Sequence, residues 1–175
     1  VTPSSTSATA FTSDDDLALA EAAAREAGGI LLRYWSDRTH LTVSTKRAGD
    51  FVSEADLASE DHLKEALLGV RPTDGWLGEE SGDTRAGNAP TTGRRWIVDP
   101  LDGTTNFLRG IPHWAVSVAL EIDGHLTLGV VHDPVKDDTF VAAEGHGARL
   151  NGVALRHADT SVFDRALLGT GIPFG

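Results

Sequence analysis

From Asp14 onward the chain places apolar residues at three- and four-residue intervals, Leu17, Ala20, Ala24, Leu31 and Tyr34, which is the spacing of one helix face. Asp14, Asp15 and Asp16 suit the positive end of a helix dipole, so a helix is predicted from 14 to about 35. Residues 1–13, rich in Ser, Thr and Ala without an apolar period, read as a flexible tail. Residues 41–46 alternate like a short strand. Ser53 followed by Asp56 then reads as a capping box that opens a second helix running to about residue 68. Arg71-Pro72 and Asp74-Gly75 close that unit with a turn.

Beyond the second helix the period changes. Short apolar segments at 75–78, 95–98, 115–122, 125–132 and 139–143, separated by Gly, Pro and Asp, read as strands. Asp123-Gly124 and Asn151-Gly152 are dipeptides that tolerate positive φ at both central positions of a hairpin turn, so much of the sheet should be an antiparallel meander. Two helices packed on such a sheet give an α+β layer arrangement over residues 14–163. Residues 165–169 look like another strand beginning, and 164–175 are expected to start a second α/β domain. There is no internal repeat.

Composition narrows the function classes. The longest apolar runs fall far short of the roughly 20 residues that cross a bilayer, and no basic segment precedes an apolar one at the N-terminus. These features, with the absence of cysteine, predict a cytoplasmic protein with no membrane association, no disulfides and no thiolate chemistry. A net charge of -11 argues against a nucleic-acid-binding surface, which needs a basic stripe. Most of the acidic residues keep the surface soluble, so only their placement can reveal chemistry.

The placement is informative between Trp96 and Phe107. An apolar strand runs into Asp99 and Asp102, with Pro100 restricting the backbone between them and Gly103 permitting a tight turn. Two carboxylates that close together repel unless a cation neutralises them, and hard oxygen donors of this kind suit Mg2+. Gly103, Thr104 and Thr105 can open a short helix whose free N–H groups, together with Leu101 and Asp102, would receive a phosphate. A second acidic pair, Glu79-Glu80, follows another strand end. Neighbours on an extended strand point to opposite faces, so Glu79 is assigned to metal and Glu80 to a supporting or proton-handling role. There is no Gly-x-Ser-x-Gly, no Gly-x-x-x-x-Gly-Lys-Ser/Thr and no His-Glu-x-x-His. The seven histidines lack ligand spacing and read as structural or surface residues, and Gly145-His146-Gly147 reads as a loop between strands.

At Gly78-Glu79-Glu80-Ser81 and over Asp99-Pro100-Leu101-Asp102-Gly103-Thr104-Thr105-Asn106-Phe107 the sequence resembles the inositol monophosphatase family. The resemblance extends to 50–56 and 111–118. It implies the first half of a layered α-β-α-β-α phosphatase fold, with Glu79, Asp99, Asp102 and the Leu101 carbonyl as Mg2+ ligands. It further implies that Thr104 pairs with Asp56 to orient and deprotonate the attacking water, and that Lys46 lies near the metal site. The implied activity is lithium-sensitive hydrolysis of a phosphate monoester, foremost myo-inositol monophosphate, by a homodimer. Histidinol phosphate, fructose bisphosphate and 3'-phosphonucleotides are the alternative substrates, and Arg109 and Trp114 are compatible with the histidinol-phosphate branch. The family's Trp-Asp-x-Ala segment, which completes the second metal site, has no counterpart, since none of Trp35, Trp76, Trp96 and Trp114 precedes an aspartate. The chain is therefore expected to be a fragment that binds metal weakly and hydrolyses slowly, or else a non-catalytic regulatory module.

Overall fold

A computed structural model of the chain describes residues 13–47, 50–83, 93–156 and 164. Helix α1 (Ser13–Ser36) is followed by a hairpin of β1 (Val43–Arg47) and β2 (Asp50–Ser53), and then by helix α2 (Glu54–Val70). Strands β3 (Gly75–Gly78), β4 (Gly82–Asp83) and β5 (Arg94–Asp102) precede the short helix α3 (Thr104–Arg109). Strands β6 (Ala115–Ile122), β7 (His125–Asp133), β8 (Asp138–Ala143), β9 (Gly147–Leu150) and β10 (Val153–Ala154) complete the main elements of the described chain. The expected α+β class holds: the main sheet runs β10-β9-β8-β7-β6-β5-β3-β4, antiparallel except where β3 pairs parallel with β5.

The strand alternation fixes one buried face. Trp96 and Val98 on β5, Val116, Val118 and Leu120 on β6, Leu128 and Val130 on β7, and Val141 on β8 all point to the same side. That side is covered by α1, through Ala20, Ala23, Ala24, Ala27 and Leu31, and by α2, through Leu63 and Leu67. The small residues let α1 lie close. A Cβ on Gly28 would come within 2.6 Å of the His132 ring on β7. Both hairpin dipeptides adopt the anticipated positive φ, with Asp123 at 52° and Gly124 at 84°, and Asn151 at 49° and Gly152 at 81°.

The strand expected at 41–46 is present as β1, paired in a separate two-stranded sheet with residues 50–53, a segment whose sequence alone does not predict a strand. Strand β5 does not stop at residue 98; it continues through Pro100 to Asp102, with a bulge against β6 between Asp99 and Asp102. Asp16, in the first turn of α1 as expected, is buried and paired with Arg71 at 2.8 Å and Arg94 at 2.9 Å. Arg94 also contacts Asp74 at 3.0 Å, so this network ties α1, the end of α2 and the start of β5 together. Residues 1–12 of the expected tail and the strand expected at 165–169 lie outside the described residues.

Candidate active site

The candidate residues gather where the pairing of β3 with β5 ends. Because these strands are parallel and in register from Gly75–Arg95 to Gly78–Val98, the residues just past the paired stretch, Glu79 after β3 and Asp99 within β5, emerge together. The backbone N–H of Glu79 donates to the Val98 carbonyl at 3.1 Å, which extends the pairing one residue into the turn. Asp99 is partly buried, and its carboxyl is pushed up to about 8, first by burial and then by the Glu79 carboxylate, with which it also shares a hydrogen bond; Asp102 adds further repulsion. Its Oδ1 accepts from the Leu101 N–H at 3.1 Å, so the Asp99–Asp102 bulge is stabilised internally.

Helix α2 supplies the other wall. Its first turn is the predicted capping box: Ser53 Oγ accepts from the Ala55 N–H at 3.2 Å, and Asp56 reaches back to the Ser53 N–H at 2.9 Å. Asp56 is fully buried, also receives the Ser53 hydroxyl at 2.5 Å, and sits 3.0 Å from the Thr104 hydroxyl. Burial raises its carboxyl above the usual value, against the lowering effect of these hydrogen bonds. Thr104 Oγ1 is also 3.0 Å from the Leu101 carbonyl, so one hydroxyl lies between an acid on α2 and the bulge of β5. Ser59 Oγ donates to the Pro100 carbonyl at 2.9 Å, and the carboxylate of Glu60 accepts the N–H groups of Glu80 and Ser81 at 2.8 and 2.9 Å. Asp56, Ser59 and Glu60 are spaced to share one helix face. That single face therefore touches α3, the β5 bulge and the β3–β4 turn.

Gly103, with φ of 97°, caps α3 and permits the turn from strand to helix; a Cβ there would meet the His113 carbonyl at 3.0 Å. Phe107 anchors α3 in an aromatic cluster with Trp35 and Trp114, whose ring centroids lie 5.0–5.4 Å apart. Thr104 and Thr105 occupy the first turn of this helix, as expected. Arg109 lies at its exposed end. Lys46 lies on β1, but its side chain is outside the described residues.

The donor set suits a hard divalent cation. Glu79 and Asp99 are close enough to share a proton, Asp102 faces the same field, and this acidic group has a carbonyl-bearing bulge beside it. Among the described residues the three carboxylates do not converge into a closed ligand set. Glu79 and Asp99 nonetheless lie within hydrogen-bonding reach of each other, a close approach of two carboxyl groups that a shared cation would favour. Sequence reasoning missed Glu60 and Ser59. The available signal was polar residues inside the buried stripe of α2, which comprises Ala55, Asp56, Ser59, Glu60, Leu63 and Leu67.

The chain is similar to known proteins over most of its length. The chain is 45% identical over 148 residues to an inositol-1-monophosphatase of Rhizobium meliloti and 43% identical over 158 residues to the Nus factor SuhB of Pseudomonas aeruginosa. These alignments cover 85% and 90% of this chain but 54% and 58% of those proteins, so the chain spans little more than half their length. The crystal structure of the extragenic suppressor protein suhB from Bartonella henselae superposes with a TM-score of 0.78 at 40% identity, covering 82% of this chain and 54% of that one. The inositol monophosphatase family profile matches residues 13–174, and the chain belongs to that family.

Proposed function

We propose that this chain provides the Mg2+- and phosphate-binding half of a phosphatase that hydrolyses a phosphate monoester, with myo-inositol monophosphate the leading substrate. The observation that carries this reading is the contact between Thr104 and Asp56, 48 residues apart in sequence, beside the Glu79–Asp99 pair. Glu79, Asp99, Asp102 and the Leu101 carbonyl would hold the metal. When bound, Mg2+ acidifies water and stabilises the leaving ester oxygen.

The chain's own groups do the rest. Asp56 accepts the Thr104 proton, which leaves the Thr104 oxygen lone pairs available to take a proton from an attacking water. The N–H groups of Gly103, Thr104 and Thr105 would receive phosphate oxygens, and Glu80 supports the acidic pair. One face of α2 and the neighbouring β3 and β5 segments hold these groups close to one another, which supports direct attack by a positioned water with no covalent intermediate on the protein.

Lithium sensitivity, cytoplasmic location and homodimerisation are part of the same proposal. The inositol-1-monophosphatase named among the relatives supports an inositol phosphate substrate, while histidinol phosphate, fructose bisphosphate and 3'-phosphonucleotides are the competing substrates. Phosphate-release assays on all four, with and without Mg2+, test this. Mg2+-dependent turnover with a preference for inositol monophosphate is expected, slow for these residues alone. A marked preference for histidinol phosphate would replace the substrate assignment. Absence of Mg2+ binding with phosphate present would instead favour a regulatory module without catalysis.

A further inference from the structure

Glu60 is 3% exposed, and both of its carboxylate oxygens are used by backbone N–H groups of the β3–β4 turn, Glu80 at 2.8 Å and Ser81 at 2.9 Å. Burying a carboxylate is unfavourable unless something fixed is gained from it. We infer that Glu60 is a positioning residue for the metal centre proposed above: by gripping the two peptides after Glu79, it holds that side chain against Asp99. The inference rests on the Mg2+ reading of Glu79 and Asp99.

Three further contacts support the role. Glu79 is pinned from the opposite side by its own N–H bond to Val98, so the turn is held both before and after the acidic residue. Without such clamps, repulsion between neighbouring carboxylates would swing an exposed turn away from β5. Gly78 makes the grip possible, since a Cβ there would fall 2.5 Å from Glu60 Oε1 and 2.6 Å from the Trp76 indole nitrogen. That nitrogen donates to Ser81 Oγ at 3.0 Å and supports the far end of the turn. The glycine of Gly78-Glu79-Glu80-Ser81 is thus required by a residue 18 positions earlier, on the helix that also carries Asp56.

The test uses Glu60→Gln, which keeps the shape and one acceptor oxygen, and Gly78→Ala, which leaves the carboxylate intact but displaces it. Mg2+ binding with inorganic phosphate present is measured by calorimetry on the full chain, alongside hydrogen exchange of the Glu80 and Ser81 amides. Asp74→Asn, which weakens the fold through the Arg94 network, serves as the control for general destabilisation. The expected result is Mg2+ affinity reduced about 10- to 100-fold in both turn variants, as for other residues that orient metal ligands. Both amides should exchange faster, turnover should recover at saturating Mg2+, and Asp74→Asn should keep the parent affinity. Equal Mg2+ affinity in parent and folded Glu60→Gln protein overturns the positioning role. A parent chain that binds no Mg2+ overturns the metal reading, and the role with it.

Discussion

Replacing Asp99 by asparagine should separate the cost of the acidic cluster from its function. Burial and the neighbouring Glu79 and Asp102 disfavour the charge on the Asp99 carboxyl and push it up to about 8 from the ordinary value of 3.8. Since the folded value is raised, the stability associated with the protonated form is fully present below pH 4 and is lost as the pH climbs towards 8. At about 1.4 kcal/mol per pH unit the upper bound is about 6 kcal/mol. The side chain is only partly buried and shares its proton with Glu79, so solvent screening leaves about 2 kcal/mol as the expected loss. The amide of the Asp99→Asn variant cannot ionise. Urea unfolding of metal-free protein should therefore show the parent losing about 2 kcal/mol between pH 5 and 8.5 relative to Asp99→Asn, with excess Mg2+ restoring the parent but not the variant. Parallel pH profiles for the two proteins, or equal stabilisation of both by Mg2+, would refute the reasoning.

Other consequences are equally open to measurement. Thr104→Ala and Asp56→Asn should each lower Mg2+-dependent phosphate release by about 10²–10⁴-fold, as loss of general-base action does; near-parent turnover in either, with the fold intact by circular dichroism, would contradict the relay. Because binding competes with the proton on Asp99, Mg2+ affinity should rise about tenfold per pH unit up to pH 8 and then level off, and a flat calorimetric profile from pH 6 to 8 would count against it. Arg71→Ala leaves Asp16 buried beside a lost partner and should cost about 3–5 kcal/mol in chemical denaturation; a loss below about 1 kcal/mol would mean Arg94 alone satisfies that carboxylate.

Much of this architecture follows from local chemistry that a sequence displays. The capping box at Ser53 and Asp56, and the turns at Asp123-Gly124 and Asn151-Gly152, rest on contacts within four residues, so the residue types suffice to locate them. Asp99, Asp102 and Thr104 stand out in the sequence because apolar strand, paired acids around Pro100 and glycine turn are consecutive. What stays hidden depends on distant partners. The parallel register of β3 and β5, which brings Glu79 to Asp99, is set by side-chain packing between segments about 20 residues apart. Asp16 offers the same acidic-first-turn signal as Asp14 and Asp15, and only the approach of Arg71 and Arg94 from α2 and β5 makes it internal. Glu60 looks like a solvated helical acid until Gly78 is seen to leave room for it. Residues 95–98 read as a short strand because the apolar run stops at Val98, yet the bulge between Asp99 and Asp102 lets the strand carry on to Asp102.

The central claim is that anionic side chains from two adjacent strand ends share a divalent cation. Crystals of this chain grown with Mn2+ and inorganic phosphate, measured at a wavelength where manganese scatters anomalously, would test it most directly. The predicted result is an anomalous peak about 2.0–2.6 Å from carboxylate oxygens of Glu79, Asp99 and Asp102, with the Glu79–Asp99 hydrogen bond gone. A site free of anomalous signal at saturating metal, with those two carboxyls still bonded to each other, would contradict it.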